Sequence, residues 1–365
     1  MTTPLVSPVR YDRRQALELL TQLPMGELMA LAHAERTRRF PDGQVTFVMD
    51  TNPNYTNVCI TQCRFCAFCR PPGAEDAYLF SPEELAATVL RSVKKGATTV
   101  LLQGGHNPDV TPELWQQYII AIREACPDVH IHPFSPAEIA FMAEKENMPV
   151  REVLRILWDA GIRTLPGGGA EILSDRVRQI IAPRKASAQE WLSVCKTAHE
   201  LGFTTTATLM FGHVETDAEI IDHLFALRDL QDKVEARPGD QDGGRPGGFV
   251  SFIPWSFKPG QTDLARTVPQ PVHPVRYVRI IATARLVLDN CPHIQSSWFS
   301  ESVAAGQLGL LAGADDFGGI LVEENVHKEA GHAPTTTLED VLTIIRRAGF
   351  TPARRDSHYQ LVKSS

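Results

Sequence analysis

The chain of 365 residues carries 36 Lys and Arg against 43 Asp and Glu, a net charge of −7, which leaves no basic footprint for nucleic acid. Hydrophobic residues make up 43% and charged ones 22%, the balance of a globular protein with ample core, and no run of about 18 apolar residues offers a membrane span. Met1 to Ser7 lacks the charged and apolar regions of a secretory signal, so a cytoplasmic, reducing setting is expected.

Residues 12–37 read as helix, with Ala16, Leu17, Leu19, Leu20, Leu28, Leu31 and Ala32 at helical spacing and a break at Pro24. They define an N-terminal helical extension, 1–44, that caps one end of the domain beyond it. Residues 45–50 form a β-like run, and a cysteine-rich loop comes directly after it. Ser81-Pro82-Glu83-Glu84 is a helix start, with Ser as N-cap, Pro in the first turn and Glu at the third position. Strands are then expected at 98–103, 129–134, 163–165, 204–211, 249–254, 293–299 and 315–322, with helical stretches between them. With the run at 45–50 this gives eight strand–helix units, which predict an α/β fold: a (β/α)8 TIM-type barrel over 45–326. The Gly/Pro-rich segment 236–248 precedes a strand and reads as a flexible insertion at the opposite face. A C-terminal helical tail, 327–365, is expected to pack on the barrel, its helix at 338–348 stopped by Gly349.

Barrel active sites lie on the loops after the strands, and there the reactive residues gather. Cys59, Cys63 and Cys66 have the spacing C-x3-C-x2-C. Three thiolates this close can hold three corners of a cubane iron–sulfur cluster, whereas a fully ligated one takes four cysteines. The iron left open is where a substrate or cofactor binds. Buried thiols or a zinc loop are the competing readings, but zinc usually needs a second hook, and Cys126, Cys195 and Cys291 stand alone. Seven cysteines, an odd number, do not fit a disulfide framework. Cys69 breaks the register and reads as a bystander.

Gln103-Gly104-Gly105 closes the second strand, where paired glycines let the backbone approach a ligand or simply make a tight turn. Gly167-Gly168-Gly169-Ala170-Glu171 closes the fourth; Glu171 can accept hydrogen bonds from ribose hydroxyls or serve a helix N-terminus. Ser135 ends the third strand, and His130 and His132 alternate on it as pocket or core histidines. His213 and Glu215 after the fifth strand are candidates for proton transfer, with helix capping the competing role for Glu215. Trp255, Gln295, Ser297 and Asp316 also fall near strand ends.

The cysteine spacing, with Phe68 two residues past Cys66, resembles the cluster loop of the radical S-adenosylmethionine (SAM) superfamily. That resemblance implies a [4Fe–4S] cluster on Cys59, Cys63 and Cys66, with SAM on the open iron and one-electron cleavage to a 5′-deoxyadenosyl radical. It also implies that Phe68, Gln103, Gly104, Gly105, Ser135 and Glu171 face SAM, although His106 stands where an acid usually follows the glycines. The stretches 54–57, 70–73, 130–136, 166–173, 211–215, 252–255, 294–298 and 323–325 resemble the dehypoxanthine futalosine cyclases of menaquinone biosynthesis, from about Arg39 onward. Cys69 replaces the tyrosine usual there. The resemblance implies hydrogen abstraction at ribose C4′ of dehypoxanthine futalosine, addition to the benzoate ring, and loss of one electron and one proton to Glu215 or His213 as base. It further implies a reducing donor such as flavodoxin or ferredoxin, and a partner for the benzoate carboxylate, for which Arg70 is a candidate. Aminofutalosine synthase and the deazaflavin-forming (FO) synthases share most of these features. A non-catalytic iron–sulfur or zinc scaffold is the rival of another class, and SAM binding separates it.

Overall fold

The computed structural model describes residues 9–235, 247–324 and 337–362. Most of the Gly/Pro-rich segment and the expected barrel end at Asn325 and Val326 therefore lie outside the described residues. Two helices come first, α1 (Arg13–Thr21) and α2 (Met25–Arg39), and Asp12 and Gln15 open α1 with a reciprocal cap. Then come β1 (Gln44–Asn52), α3 (Pro82–Lys94), β2 (Thr99–Leu102), α4 (Pro112–Ala125), β3 (His130–Pro133), α5 (Pro136–Lys145), α6 (Val150–Asp159) and β4 (Thr164–Leu165). The second half carries α7 (Asp175–Ile181), α8 (Ala188–Glu200), β5 (Thr204–Phe211), α9 (Asp217–Glu235), β6 (Gly248–Ser256), α10 (Pro274–Val287) and β7 (His293–Ile294). It ends with α11 (Trp298–Glu301), α12 (Val303–Leu311), β8 (Asp316–Glu324), α13 (Leu338–Arg347) and β9 (Thr351–Arg354). None of the described helices is long and apolar enough to cross a membrane.

The strands form two parallel arcs, β3-β2-β1-β8 and β4-β5-β6-β7. A parallel bridge between Gln295 and Asp316 joins β7 to β8. At the other seam, Thr164 Oγ1 of β4 meets His130 Nε2 at 2.8 Å and His132 Nδ1 at 2.7 Å, both from β3. Side chains, rather than a ladder, hold that seam. Apolar residues between strands and helices form two buried clusters, one around β1, β5, β6 and α10 and one around β2, β3, α4 and α6. Helices cover the outer faces, so the strands are buried on both sides, as parallel sheets require.

Three local departures from expectation have simple causes. The strand expected at 293–299 stops at Ile294, because Ser297 turns the backbone and Trp298 starts a short helix. Ser174 caps an unexpected helix, α7, accepting from the N–H of Val177. The tail does not end with its helix. After Gly349, at φ +88°, the chain forms β9, which pairs with β1 over Gln44–Phe47. Arg355 then donates its N–H to the Phe47 carbonyl at 2.9 Å, and its guanidinium grips both oxygens of Asp316. Asp316 therefore sits at the lower end of β8, occupied by the tail and Thr46, and not at a strand's C-terminal end.

Candidate active site

Alternate residues of the strands turn inward and line one cavity of about 390 Å³. Val48, Asp50 and Asn52 come from β1, Thr99, Leu101 and Gln103 from β2 and its end, His132 from β3, and Thr206 and Thr208 from β5. Ile253 and Trp255 of β6, Gln295 and Ser297 after β7, and Gly319 of β8 complete the wall. The cysteine loop closes the top, and Arg355, Ser357 and Tyr359 from the tail reach the floor.

The loop is tied at its ends. Cys59 donates to the Arg70 carbonyl at 2.9 Å, and Arg70 donates to that of Asn57 at 2.8 Å. Arg64 N–H reaches the Ile181 carbonyl at 2.8 Å, which docks the loop on α7. Cys59, Cys63 and Cys66 all face the cavity. The His106 N–H points at Cys59 Sγ at 3.3 Å, and Thr61 Oγ1 lies 2.9 Å from the same sulfur. Such donors to sulfur are how proteins tune a cluster. Burial pushes the Cys63 thiol up to about 11, so at neutral pH the protein alone keeps it protonated.

Phe68, Gln103, Gly104, Gly105, Ser135 and Glu171 share this wall. A Cβ on Gly105 would lie 2.1 Å from the Val58 carbonyl oxygen and 2.9 Å from Cys59 Cβ, so glycine there lets β2 approach the cluster loop. A Cβ on Gly168 would strike Gln103 Nε2 at 2.4 Å. Ser135 caps α5 and is held by Glu138, whose carboxylate accepts from Ser135 N–H (2.8 Å), Ser135 Oγ (2.7 Å), Tyr55 Oη (2.9 Å) and Gly104 N–H (3.0 Å). Burial still raises the Glu138 pKa above the ordinary carboxylate range. Glu171, at φ +41°, pairs with Lys185 Nζ at 2.6 Å. Burial alone would raise Glu171, but the Lys185 charge and then Arg178 outweigh it and hold it ionised. His106 is buried against Phe141, and burial lowers it to about 3, so it is neutral and no substitute for an acid.

Other expected site residues lie elsewhere. His213 and Glu215 are absent from the cavity wall among the described residues and close their own turn. Glu215 accepts from the N–H groups of Gly212 (2.6 Å) and His213 (2.9 Å), and His213 Nδ1 accepts from Val214 N–H at 2.8 Å. Burial would raise Glu215, but the His213 ring and these N–H groups outweigh it and bring it to about 2, a poor base. Thr216, not Glu215, caps α9, through a reciprocal pair with Glu219. Arg70 folds over the loop, bound to Asp76 at 2.6 Å and to the carbonyls of Ala67 and Phe68. Of the two histidines only His132 reaches the cavity; His130 packs edge-on against His358.

Comparison with known proteins covers nearly the whole chain. Residues 53–227 match the radical SAM superfamily and residues 246–365 the CofH/MqnC C-terminal region. Cyclic dehypoxanthine futalosine synthase of Streptomyces coelicolor is 36% identical over 96% of this chain and 85% of its own. The chain belongs to the CofH/MqnC family of radical SAM enzymes. A 5-amino-6-(D-ribitylamino)uracil--L-tyrosine 4-hydroxyphenyl transferase of Methanopyrus kandleri is 39% identical over 96% of this chain and 94% of that one. Aminodeoxyfutalosine synthase of Thermus thermophilus is 37% identical over 97% and 93%. Among solved structures, methylornithine synthase shares the fold, with a TM-score of 0.71 over 95% of both chains at 17% identity.

This CofH/MqnC-family enzyme thus works with a [4Fe–4S] cluster and SAM. Its cavity fits them: the thiols of Cys59, Cys63, Cys66 and Cys69 line one end, glycines stand where a Cβ would fill the space, and a buried Lys185–Glu171 pair brings charge of both signs. Glu138, Lys185 and Asp50 are among the wall residues that the sequence did not single out. Glu138 had a signal, since Ser135-Pro136-Ala137-Glu138 is a capping box. Asp50 had one too, as it alternates with Val48 and Asn52 on β1. Lys185 sits in the connection between α7 and α8, where no periodicity aims a side chain.

Proposed function

We propose that this enzyme is the cyclase of the futalosine route to menaquinone, which closes a ring within dehypoxanthine futalosine. The observation that carries this reading is the continuous cavity running from the cysteine loop to the barrel floor. Its volume of about 390 Å³ is at the small end of ligand pockets. A ring closure within one substrate needs a single chamber beside SAM, which this cavity provides, whereas the transferase named among the relatives joins two substrates. Two cyclic dehypoxanthine futalosine synthases, 36% and 35% identical over 96% and 98% of this chain, stand among its relatives beside the transferase at 39% and the aminodeoxyfutalosine synthase at 37%.

Cys59, Cys63 and Cys66 hold the cluster, and Phe68, Gln103, Gly104, Gly105, Ser135 and Glu171 face SAM. Bound and reduced by a flavodoxin- or ferredoxin-like donor, these cofactors supply a 5′-deoxyadenosyl radical. The protein's work is positioning and exclusion of water. Lys185 presents its ammonium beside the Glu171 carboxylate, a pair of opposite charges on the wall. Glu138 locks Tyr55, Gly104 and the start of α5 into one rigid frame. Phe65, Trp255 and Phe299 supply apolar wall against which an aryl group packs.

The test is anaerobic turnover of the reconstituted enzyme with SAM, dithionite and dehypoxanthine futalosine, read by mass spectrometry. 5′-Deoxyadenosine with a product two hydrogens lighter than substrate is expected. Deoxyadenosine without that product, together with turnover of tyrosine and 5-amino-6-(D-ribitylamino)uracil, would assign the transferase reaction instead.

A further inference from the structure

Among the described residues three carboxylates line the cavity: Asp50, Glu138 and Glu171. Two are committed, Glu138 to four donors and Glu171 to Lys185. Asp50 is not: its Oδ1 is buried without a hydrogen-bond partner. It stands on an inward position of β1, paired across to Thr99 of β2 and Leu321 of β8. The neighbouring strand leaves room for it, since a Cβ on Gly319 of β8 would lie 2.2 Å from Asp50 Oδ1. Asn52, Asn54 and Asn57 line the same cavity between Asp50 and the cysteine loop, so one chamber connects this carboxylate with the thiols.

We propose that Asp50 is the catalytic base of ring closure, taking the proton from the ring carbon to which C4′ has bonded. This rests on the cyclase reading of the same cavity. Addition of the C4′ radical makes one carbon–carbon bond and leaves one unpaired electron in the ring. The C–H bond at that carbon then breaks: its proton goes to Asp50 and its electron pair stays in the ring. The one surplus electron leaves to a one-electron acceptor, a role the oxidised iron–sulfur cluster would supply, and aromaticity returns. Burial, opposed by Arg355 and reinforced by Asp316, raises Asp50 to about 7, where a carboxylate both accepts and releases a proton at neutral pH. His132 of β3 and Tyr359 of the tail are the remaining titratable groups on this part of the wall.

The test compares wild type, Asp50→Asn and Asp50→Ala, each cluster-loaded, with SAM and dehypoxanthine futalosine. In Asp50→Asn, 5′-deoxyadenosine should still form while cyclised product falls by about 100-fold, and an organic radical should accumulate in freeze-quenched EPR samples. Added formate should restore product to Asp50→Ala, and wild-type product formation should rise with pH through about 7. Cyclisation at the wild-type rate by Asp50→Asn, with the pH profile unchanged, overturns Asp50 and leaves the cyclase reading standing. Deoxyadenosine without cyclised product in the wild type itself overturns the cyclase reading and the ring proton with it. If neither Asp50 variant holds a cluster, Gly319→Ala displaces the carboxylate instead; unchanged cyclisation there also overturns the assignment.

Discussion

Replacing Cys63 with Ser removes one of the three thiols proposed to hold the cluster, and the iron content of the anaerobically reconstituted protein should fall to background. Cys69 lies on the same wall but bonds weakly to the Cys66 carbonyl at 3.6 Å, so Cys69→Ser should keep both iron and SAM cleavage. Glu138→Gln sets an amide donor against four donors that now share one carboxylate. It should cost about 1–3 kcal/mol in denaturant titration, the penalty for unsatisfied buried groups. Asp50 gives a pH signature in stability as well as rate. Its folded pKa is raised from 3.8 to about 7, so the folded chain binds more protons than the unfolded chain between those values. Stability from this group is complete below pH 3.8 and declines as pH rises to about 7. Asp50→Asn should flatten that decline in melts taken across the same range.

The strand ends carry the site, and glycine decides how closely they meet. Gly105→Ala would press a methyl into the Val58 carbonyl, 2.1 Å away, and should lower iron retention even though no ligand has changed. Iron assay after gel filtration checks it. Much at this scale was legible from sequence. The caps at Ser81, Ser135, Ser187 and Thr337 are all reciprocal side-chain boxes, and each announces a helix start. The alternation of strand and helix came with them, and so did the loops on which the cysteines and glycines sit. What failed to show was local competition. Residues 293–299 have strand composition, yet Ser296 and Tyr277 Oη draw the chain into a turn before α11, with Ser297 N–H donating to Tyr277 at 2.6 Å. His213 and Glu215 stand where a reactive pair would, but the turn's own N–H groups consume them, and no spacing rule distinguishes the two uses.

Across the whole molecule the eight-strand wall is completed by a segment remote in sequence. β9 adds to β1, and Arg355 meets Asp316 from below with both side chains buried. Arg355→Met would leave Asp316 an unpaired buried charge and should cost about 3–5 kcal/mol, measurable by urea unfolding. No pattern announces this strand, because Thr351-Pro352-Ala353-Arg354 is short, and Pro352 is tolerated only where a strand lies at an edge. The arrangement also imposes an order on synthesis. Positions 351–354 leave the ribosome roughly 15–60 s after the strand they must join, at ordinary elongation rates. Throughout that interval the nascent barrel has a ceiling of cysteines and no floor. Cofactor loading before these positions join β1 would meet an unfinished chamber, open at its base where Arg355, Ser357 and Tyr359 later close it.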